Sequence, residues 1–283
     1  MAKQFGTETQ VESAKRMYDA RAANYEDSWH PDYSRRFIEL VPLVPGQRVL
    51  DLCCGTGLEA FLAAEIVGDA GEVIGVDVSE GMLSVLRGRQ QRQPELGRRI
   101  RTLLHDVTNL QGLKELEKGS FDVVLCSSAF VLFDDPARVV AHWREYLRPG
   151  GIAAIDITHE LNLRSGMILE RVADRMGVTF PSNRTWVKSA DSFCEILERE
   201  GFTVENVVLL DKITGERSTY YRVDQADEQF NYIINTALTK NVATDDFKEK
   251  ARPIFREEWE KEAVDGKVEI VDALYVYIAR RKE

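Results

Sequence analysis

Between residues 48 and 157 the chain alternates short apolar runs with amphipathic stretches, and most of the runs end at a polar or acidic residue. The first run, Arg48-Val-Leu-Asp-Leu52, passes through Cys53-Cys54-Gly55-Thr56-Gly57 into Leu58–Val67, whose small and apolar residues predict a helix. Glu72–Asp77, Ile100–His105, Phe121–Cys126 and Ile152–Ile157 read as further strands. Continuous apolar runs of that length suit strands covered on both faces. Ser79 is placed to cap the helix after the second strand, with Met82 in its first turn. Asp134-Asp135-Pro136 starts another helix, and Gly150-Gly151 is expected as the turn into the fifth strand. The repeated strand–turn–helix order predicts an α/β fold with a mostly parallel sheet between two helical layers.

The first strand–helix junction is a candidate binding crevice. Gly55 and Gly57 let the backbone approach a ligand, and the following helix points its N-terminal amides at the same place. Asp77 stands 20 residues beyond Gly57, where an acid at the tip of the second strand can accept both hydroxyls of a ribose. Asp51 lies four residues before Gly55 and would repel a pyrophosphate. A cofactor without phosphate and with cationic groups suits that carboxylate better.

The runs Val-Leu-Asp-Leu-Cys-Cys-Gly-Thr-Gly (49–57), Val-Ile-Gly-Val-Asp-Val-Ser-Glu-Gly-Met (73–82) and Phe-Asp-Val-Val-Leu-Cys-Ser-Ser (121–128) resemble the class I S-adenosylmethionine-dependent methyltransferases over roughly residues 15–210 and the terminal strand. The resemblance implies a Rossmann-like, mostly parallel seven-stranded sheet with an antiparallel closing strand at Glu269–Ala279. It implies S-adenosylmethionine as cofactor and S-adenosylhomocysteine as product. Carried over residue by residue, it implies that Asp51, Gly55 and Gly57 surround the methionine portion and Asp77 the ribose. Met82, Asp106 and Val107 would then meet adenine, and Ser127 the crevice wall. Tyr18 and Tyr25, in a Tyr-Asp-x-x-Ala-x-x-Tyr pattern, would fold over the cofactor as a lid. Cys53 stands where the family often has glycine, which suggests a position that needs no positive φ.

Length and composition bound the rest. At 283 residues and 44% hydrophobic, one large core with an appendage is expected. A net charge of −10 opposes a nucleic-acid partner, and six arginines between Arg87 and Arg101 read as a solvated helix face and loop. The N-terminal residues lack the apolar core of a secretion signal, and no apolar run nears membrane-spanning length, so a cytoplasmic location is expected. Four cysteines without C-x-x-C or Cys/His spacing predict packed thiols and no metal. The domain division expected is an N-terminal helical lid (1–46), a core of 47–211 with 268–283, and an insertion at 212–267. Further helices are expected near 158–177, 190–201, 224–238 and 245–263. About 58 residues between Leu210 and Glu269 are too many for a structureless loop, so that segment should be an ordered cap or a homodimer contact.

The acceptor is expected to be a small molecule. Trp29, Phe130, His159 and Trp186 are the candidate pocket residues, with His30 as a further polar candidate. No catalytic base is evident: Val131 occupies the place where related enzymes often carry histidine. Want of a base favours an acceptor that ionises readily, such as a thiol. An overall similarity to thiomethyltransferases of fungal secondary metabolism, of the gliotoxin kind, points the same way. Oxygen or nitrogen methylation is the runner-up. A cofactor-binding regulatory module without turnover, and a nicotinamide-dependent reductase, are the readings from other classes.

Overall fold

A computed structural model of the chain describes residues 4–5 and 8–283; the absence of a secretion signal expected at residues 1–7 falls largely outside them. A two-residue strand pair, β1 (Gln4–Phe5) and β2 (Glu8–Thr9), precedes helices α1 (Gln10–Arg21) and α2 (His30–Leu40). The sheet then begins with β3 (Arg48–Leu52), α3 (Leu58–Val67), β4 (Glu72–Asp77), α4 (Glu80–Arg92), the short α5 (Pro94–Gly97), β5 (Ile100–Leu104) and β6 (Phe121–Cys126). Helix α6 (Pro136–Arg144), β7 (Leu147–Thr158), α7 (Arg164–Arg175), α8 (Asp191–Arg199) and β8 (Phe202–Asp211) follow. The chain ends with β9 (Ser218–Arg222), α9 (Ala226–Ile234), α10 (Asp245–Lys261), β10 (Lys267–Val271) and β11 (Ala273–Arg281).

Seven strands form one sheet in the order β5-β4-β3-β6-β7-β11-β8. Those from β5 to β7 run parallel, and β11 lies antiparallel between β7 and β8. Apolar side chains on its two faces build separate cores. One holds Phe130, Trp143 and Phe193 against β6 and β7; the other holds Phe37, Phe61 and Leu86 against β3 and β4. Phe37 and Tyr33 are buried, so α2 is a core helix, and of the N-terminal region α1 and the turn after it cover the crevice. A Thr9–Glu12 capping box starts α1. Its Asp19 accepts from Ser79 Oγ at 2.6 Å and Gly81 N at 3.0 Å, which clasps α1 to the start of α4.

Three expected boundaries move, each for a local reason. Strand β7 starts at Leu147, since Gly150-Gly151 is absorbed as an irregularity in the pairing with β6 and makes no turn. The apolar run expected as one closing strand divides at Asp272, whose carboxylate accepts from Thr214 and Gly215 N–H groups and whose carbonyl accepts from Lys212 N. That anchor sends Lys267–Val271 to pair with β9 in a separate two-stranded sheet. Helix α7 begins at Arg164 because His159 Nδ1 and its carbonyl close a turn on the Leu161 and Asn162 amides.

Helices α7, α9 and α10 with β10 enclose a third apolar cluster, centred on Phe230, Phe255 and Trp259. Each of those three side chains is fully buried. Trp259→Ala should therefore cost about 3–5 kcal/mol in urea unfolding. A loss below about 1 kcal/mol would mean that this cluster is not a stabilising core.

Candidate active site

Parallel strands leave a crevice where connections from neighbouring strands depart in opposite directions, here between β3 and β6. A narrow cleft opens there along the carboxyl ends of β3, β4, β5 and β6. Tyr18, Tyr25, Gly55, Asp77, Met82, Asp106, Val107 and Ser127 line it. Asp77 is positioned by the β4–α4 turn: its Oδ2 accepts from Gly55 N at 2.9 Å and its Oδ1 from Ser79 N at 2.8 Å. Met82 N donates to Ser79 Oγ, which fixes the first turn of α4 against the cleft. Asp106 Oδ1 accepts from the Thr108 amide and hydroxyl, holding the loop after β5.

Two expectations about the turn are corrected. Cys53 has φ +61°, so the position does take a left-handed backbone even without glycine. A side-chain-bearing residue accepts that conformation at roughly 1–2 kcal/mol. Gly57, at φ +83°, does not line the cleft: a Cβ there would lie 2.8 Å from Leu86 Cγ. Its missing side chain lets α4 pack against the turn. Asp51 also sits behind the cleft wall, 1% exposed, with Oδ2 buried and unpartnered.

Asp51 belongs to a group of four buried carboxylates with Glu59, Asp77 and Asp156. Burial is the largest influence on all four and raises each; neighbouring carboxylates push Asp51, Asp77 and Asp156 the same way, while hydrogen bonds and the Arg89 charge partly offset it at Glu59. Glu59 lines a small recess that continues the cleft past Cys53, Gly55 and Ser127, and its Oε1 accepts from Ser34 Oγ at 2.6 Å. No described Lys or Arg makes an ion pair with any of the four. A phosphate-bearing dinucleotide would add negative charge to this desolvated end. The ammonium and sulfonium of S-adenosylmethionine would compensate it, and the orphaned Asp51 oxygen fits a cation-ordered network.

A second, largely apolar chamber of about 520 Å³ adjoins the cleft and shares Tyr18, Ser128, Ala129 and Leu132 with it. Trp29, His30 and Phe130 line this chamber. His159 and Trp186 do not: His159 stacks on Tyr275 at 5.1 Å and caps Leu161, and Trp186 Nε1 donates to Asn183 O beside Phe193. His30 is sandwiched by Trp29 and Tyr25, and burial lowers its pKa to about 3, so it stays neutral and weakly basic. His105 and His142 bond backbone groups of Asn109 and Leu110.

Sequence reasoning missed three chamber or recess residues. Asp156, at the end of β7, accepts from Tyr33 Oη at 2.6 Å and from Ser128 N at 2.9 Å, and burial pushes it up to about 7. The signal was present: an acid inside the apolar run Ile152–Ile157. Glu59 gave a similar signal in an apolar helix. Arg184, on an irregular segment, gave none.

Residues 49–151 match the family model described as a methyltransferase domain. A demethylmenaquinone methyltransferase from Lactococcus lactis is 33% identical over 47% of this chain and 49% of its own length. A nocamycin O-methyltransferase from Saccharothrix syringae is 35% identical over 48% of this chain and 45% of its own. The chain thus spans about half the length of the relatives it matches. Among solved structures, the [4+2]-cyclase SpnF aligns with a TM-score of 0.55 at 18% identity, covering 89% of this chain and 80% of that one. That likeness concerns the fold, which hosts more than one chemistry. Residues 49–151 thus carry a methyltransferase domain, and the mostly parallel seven-stranded sheet around it is the Rossmann-like fold expected of an S-adenosylmethionine-dependent methyltransferase.

Asp77→Ala should weaken S-adenosylhomocysteine binding at least tenfold in calorimetry, since charge-assisted bonds to ribose are worth about 1.5–3 kcal/mol. An unchanged dissociation constant in a folded variant would move the ribose elsewhere. Gly57→Val should instead cost about 1–3 kcal/mol of stability by colliding with Leu86. A variant of full stability that binds nothing would restore Gly57 to the cleft.

Proposed function

We propose that the chain methylates an acidic hydroxyl, a phenol or enol, of a small and largely apolar metabolite. The observation that carries this reading is the shared wall of Tyr18, Ser128, Ala129 and Leu132 between a cofactor cleft and an apolar chamber that contains Asp156. When bound, S-adenosylmethionine supplies an electrophilic methyl group with a neutral thioether as leaving group. The protein's part is to hold the acceptor beside that wall, exclude water and accept a proton. Tyr18 and Tyr25 act as the lid, and Asp77, Gly55, Met82, Asp106, Val107 and Ser127 hold the cofactor. Asp51 and Glu59 act behind them, as the carboxylates that favour its cationic end.

Asp156 acts as general base, taking the acceptor's hydroxyl proton on a carboxylate oxygen oriented by Tyr33 and the Ser128 amide. This changes the acceptor expected from the sequence. The thiol reading rested on want of a base, whereas a hydroxyl needs one and the chamber offers it. The names of the relatives, a demethylmenaquinone methyltransferase and a nocamycin O-methyltransferase, support a non-thiol acceptor. Segment 212–267 serves as a cap: Tyr232, Ile233, Thr236 and Leu238 line the chamber. Its apolar side chains Phe230, Phe255 and Trp259 point inward, which supports a cap over a dimer contact. No described helix is long and apolar enough to cross a membrane.

The test is methyl transfer from labelled S-adenosylmethionine to panels of phenols, enols, thiols and amines. Phenols or enols should be turned over and kcat/KM should rise about tenfold per pH unit up to pH near 7, where Asp156 ionises. Asp156→Asn should remove that rise and lower the plateau 10²–10⁴-fold. Transfer to thiols only, unaffected by Asp156→Asn, would return the thiol acceptor; cofactor binding without turnover of any panel would favour a regulatory module. Stability should move oppositely to activity. The folded carboxyl keeps its proton to higher pH than the unfolded one, so Asp156 stabilises fully below the unfolded pKa near 4, and that contribution is lost as pH rises through about 7.

A further inference from the structure

The chamber holds a buried cation that the protein leaves unmatched. Arg184 lies between α7 and α8, is 6% exposed and lines the chamber, and its Nε and Nη1 are buried without a hydrogen-bond partner. Glu170 is the opposing charge that acts on it, but no hydrogen bond joins the two side chains and its carboxylate is otherwise engaged. It accepts from the backbone N–H groups of Arg184 and Thr185 at 3.0 and 3.2 Å, and from Ser182 Oγ at 2.9 Å. Glu170 therefore shapes the loop that carries Arg184 and leaves the guanidinium free. Room for that guanidinium comes from α7: a Cβ at Gly166 would lie 3.3 Å from Arg184 Nη1.

The other charged groups on the chamber wall do not satisfy it. Asp272 is held by Thr214 and Gly215, and Asp156 by Tyr33 and Ser128. Arg21 adds a second positive charge at the mouth, over the rings of Tyr18 and Tyr25 at 5.9 and 5.5 Å. A buried guanidinium N–H without a partner is costly, and an oxyanion against Nε or Nη1 is a ligand that offsets much of that cost.

We infer that the methyl acceptor bears an anionic oxygen group, a carboxylate or an ionised enol, that docks on Arg184 while the rest of the molecule fills the apolar chamber. This rests on the proposed methyltransferase function and narrows its substrate class. A neutral thiol or amine leaves Arg184 unpaired and is rejected. A molecule with one acidic oxygen at Arg184 and a hydroxyl beside Ser128 meets the polar groups that the chamber wall offers.

The test compares matched pairs of hydroxyaryl carboxylates and their primary amides, on one-ring and two-ring scaffolds, binding to the protein saturated with S-adenosylhomocysteine. Calorimetry should find the acids bound at least tenfold more tightly than the amides. Arg184→Gln should abolish the preference and Arg184→Lys should keep part of it, with S-adenosylhomocysteine affinity unchanged in both. Paired phenols and cyclic 1,3-diketones without a carboxylate separate the two anion sources: tight binding of the diketones alone assigns the enolate. Equal binding of acids and amides, a preference that survives Arg184→Gln, or no acidic probe bound at all would overturn the anchor. If S-adenosylhomocysteine itself fails to bind the wild-type protein, the methyltransferase reading falls first, so the two failures are told apart.

Discussion

Four carboxylates, Asp51, Glu59, Asp77 and Asp156, are buried at the carboxyl end of one parallel sheet with no described basic side chain paired to them. Glu59 and Asp77 raise the proton affinity of Asp51, Glu59 raises that of Asp156, and carboxylates so placed oppose an anionic ligand. The sheet makes this arrangement unavoidable once the residues are chosen. Strands β3, β4 and β7 end within one crevice, and α3 starts there. Backbone amides and hydroxyls stabilise part of the charge, through Gly55, Ser79, Ser128, Ser34 and Tyr33. The remainder is what makes a cationic cofactor the matching ligand.

The second half of the site is an assembly of elements that have little else in common. Helix α1 is tied over the cleft by Asp19, and α7, α9 and α10 form their own core. Between them lies the apolar chamber, with the 212–267 segment forming part of its wall. The two compartments differ in their buried charge. Asp77 lines the cofactor cleft, whereas the acceptor chamber holds the unpartnered Arg184 guanidinium together with Asp156 and Asp272, which are engaged in hydrogen bonds; Tyr18 lines both. A cofactor with a cationic centre and an acceptor with an anionic oxygen would each be drawn to its own half.

The legible part of this protein was the part whose causes are local. Leu58–Val67, Glu72–Asp77 and Phe121–Cys126 appear with the ends expected from their apolar runs, because a doubly covered strand or helix needs an unbroken run. The positions of Asp77, Met82 and Asp106 at the cleft follow from strand ends and helix starts, which are local as well. Misreadings came where tertiary contacts decide. Gly57 faces Leu86, His159 faces Tyr275, and Trp186 turns toward Phe193. Residue spacing carries no information about those neighbours. Cys53 took its left-handed backbone despite a side chain because the turn after β3 imposes it. Asp156 was visible as an acid in an apolar strand, yet its role depends on Tyr33, 123 residues away in sequence.

The most direct measurement is a calorimetric titration of the wild-type protein with S-adenosylhomocysteine and, separately, with NAD at the same pH and ionic strength. The buried carboxylates predict saturable one-site binding of S-adenosylhomocysteine, whose ammonium meets the acidic end, and no detectable heat from the pyrophosphate-bearing dinucleotide. Binding of NAD in the same range, or none of S-adenosylhomocysteine, would contradict the claim that this crevice is built for a cation.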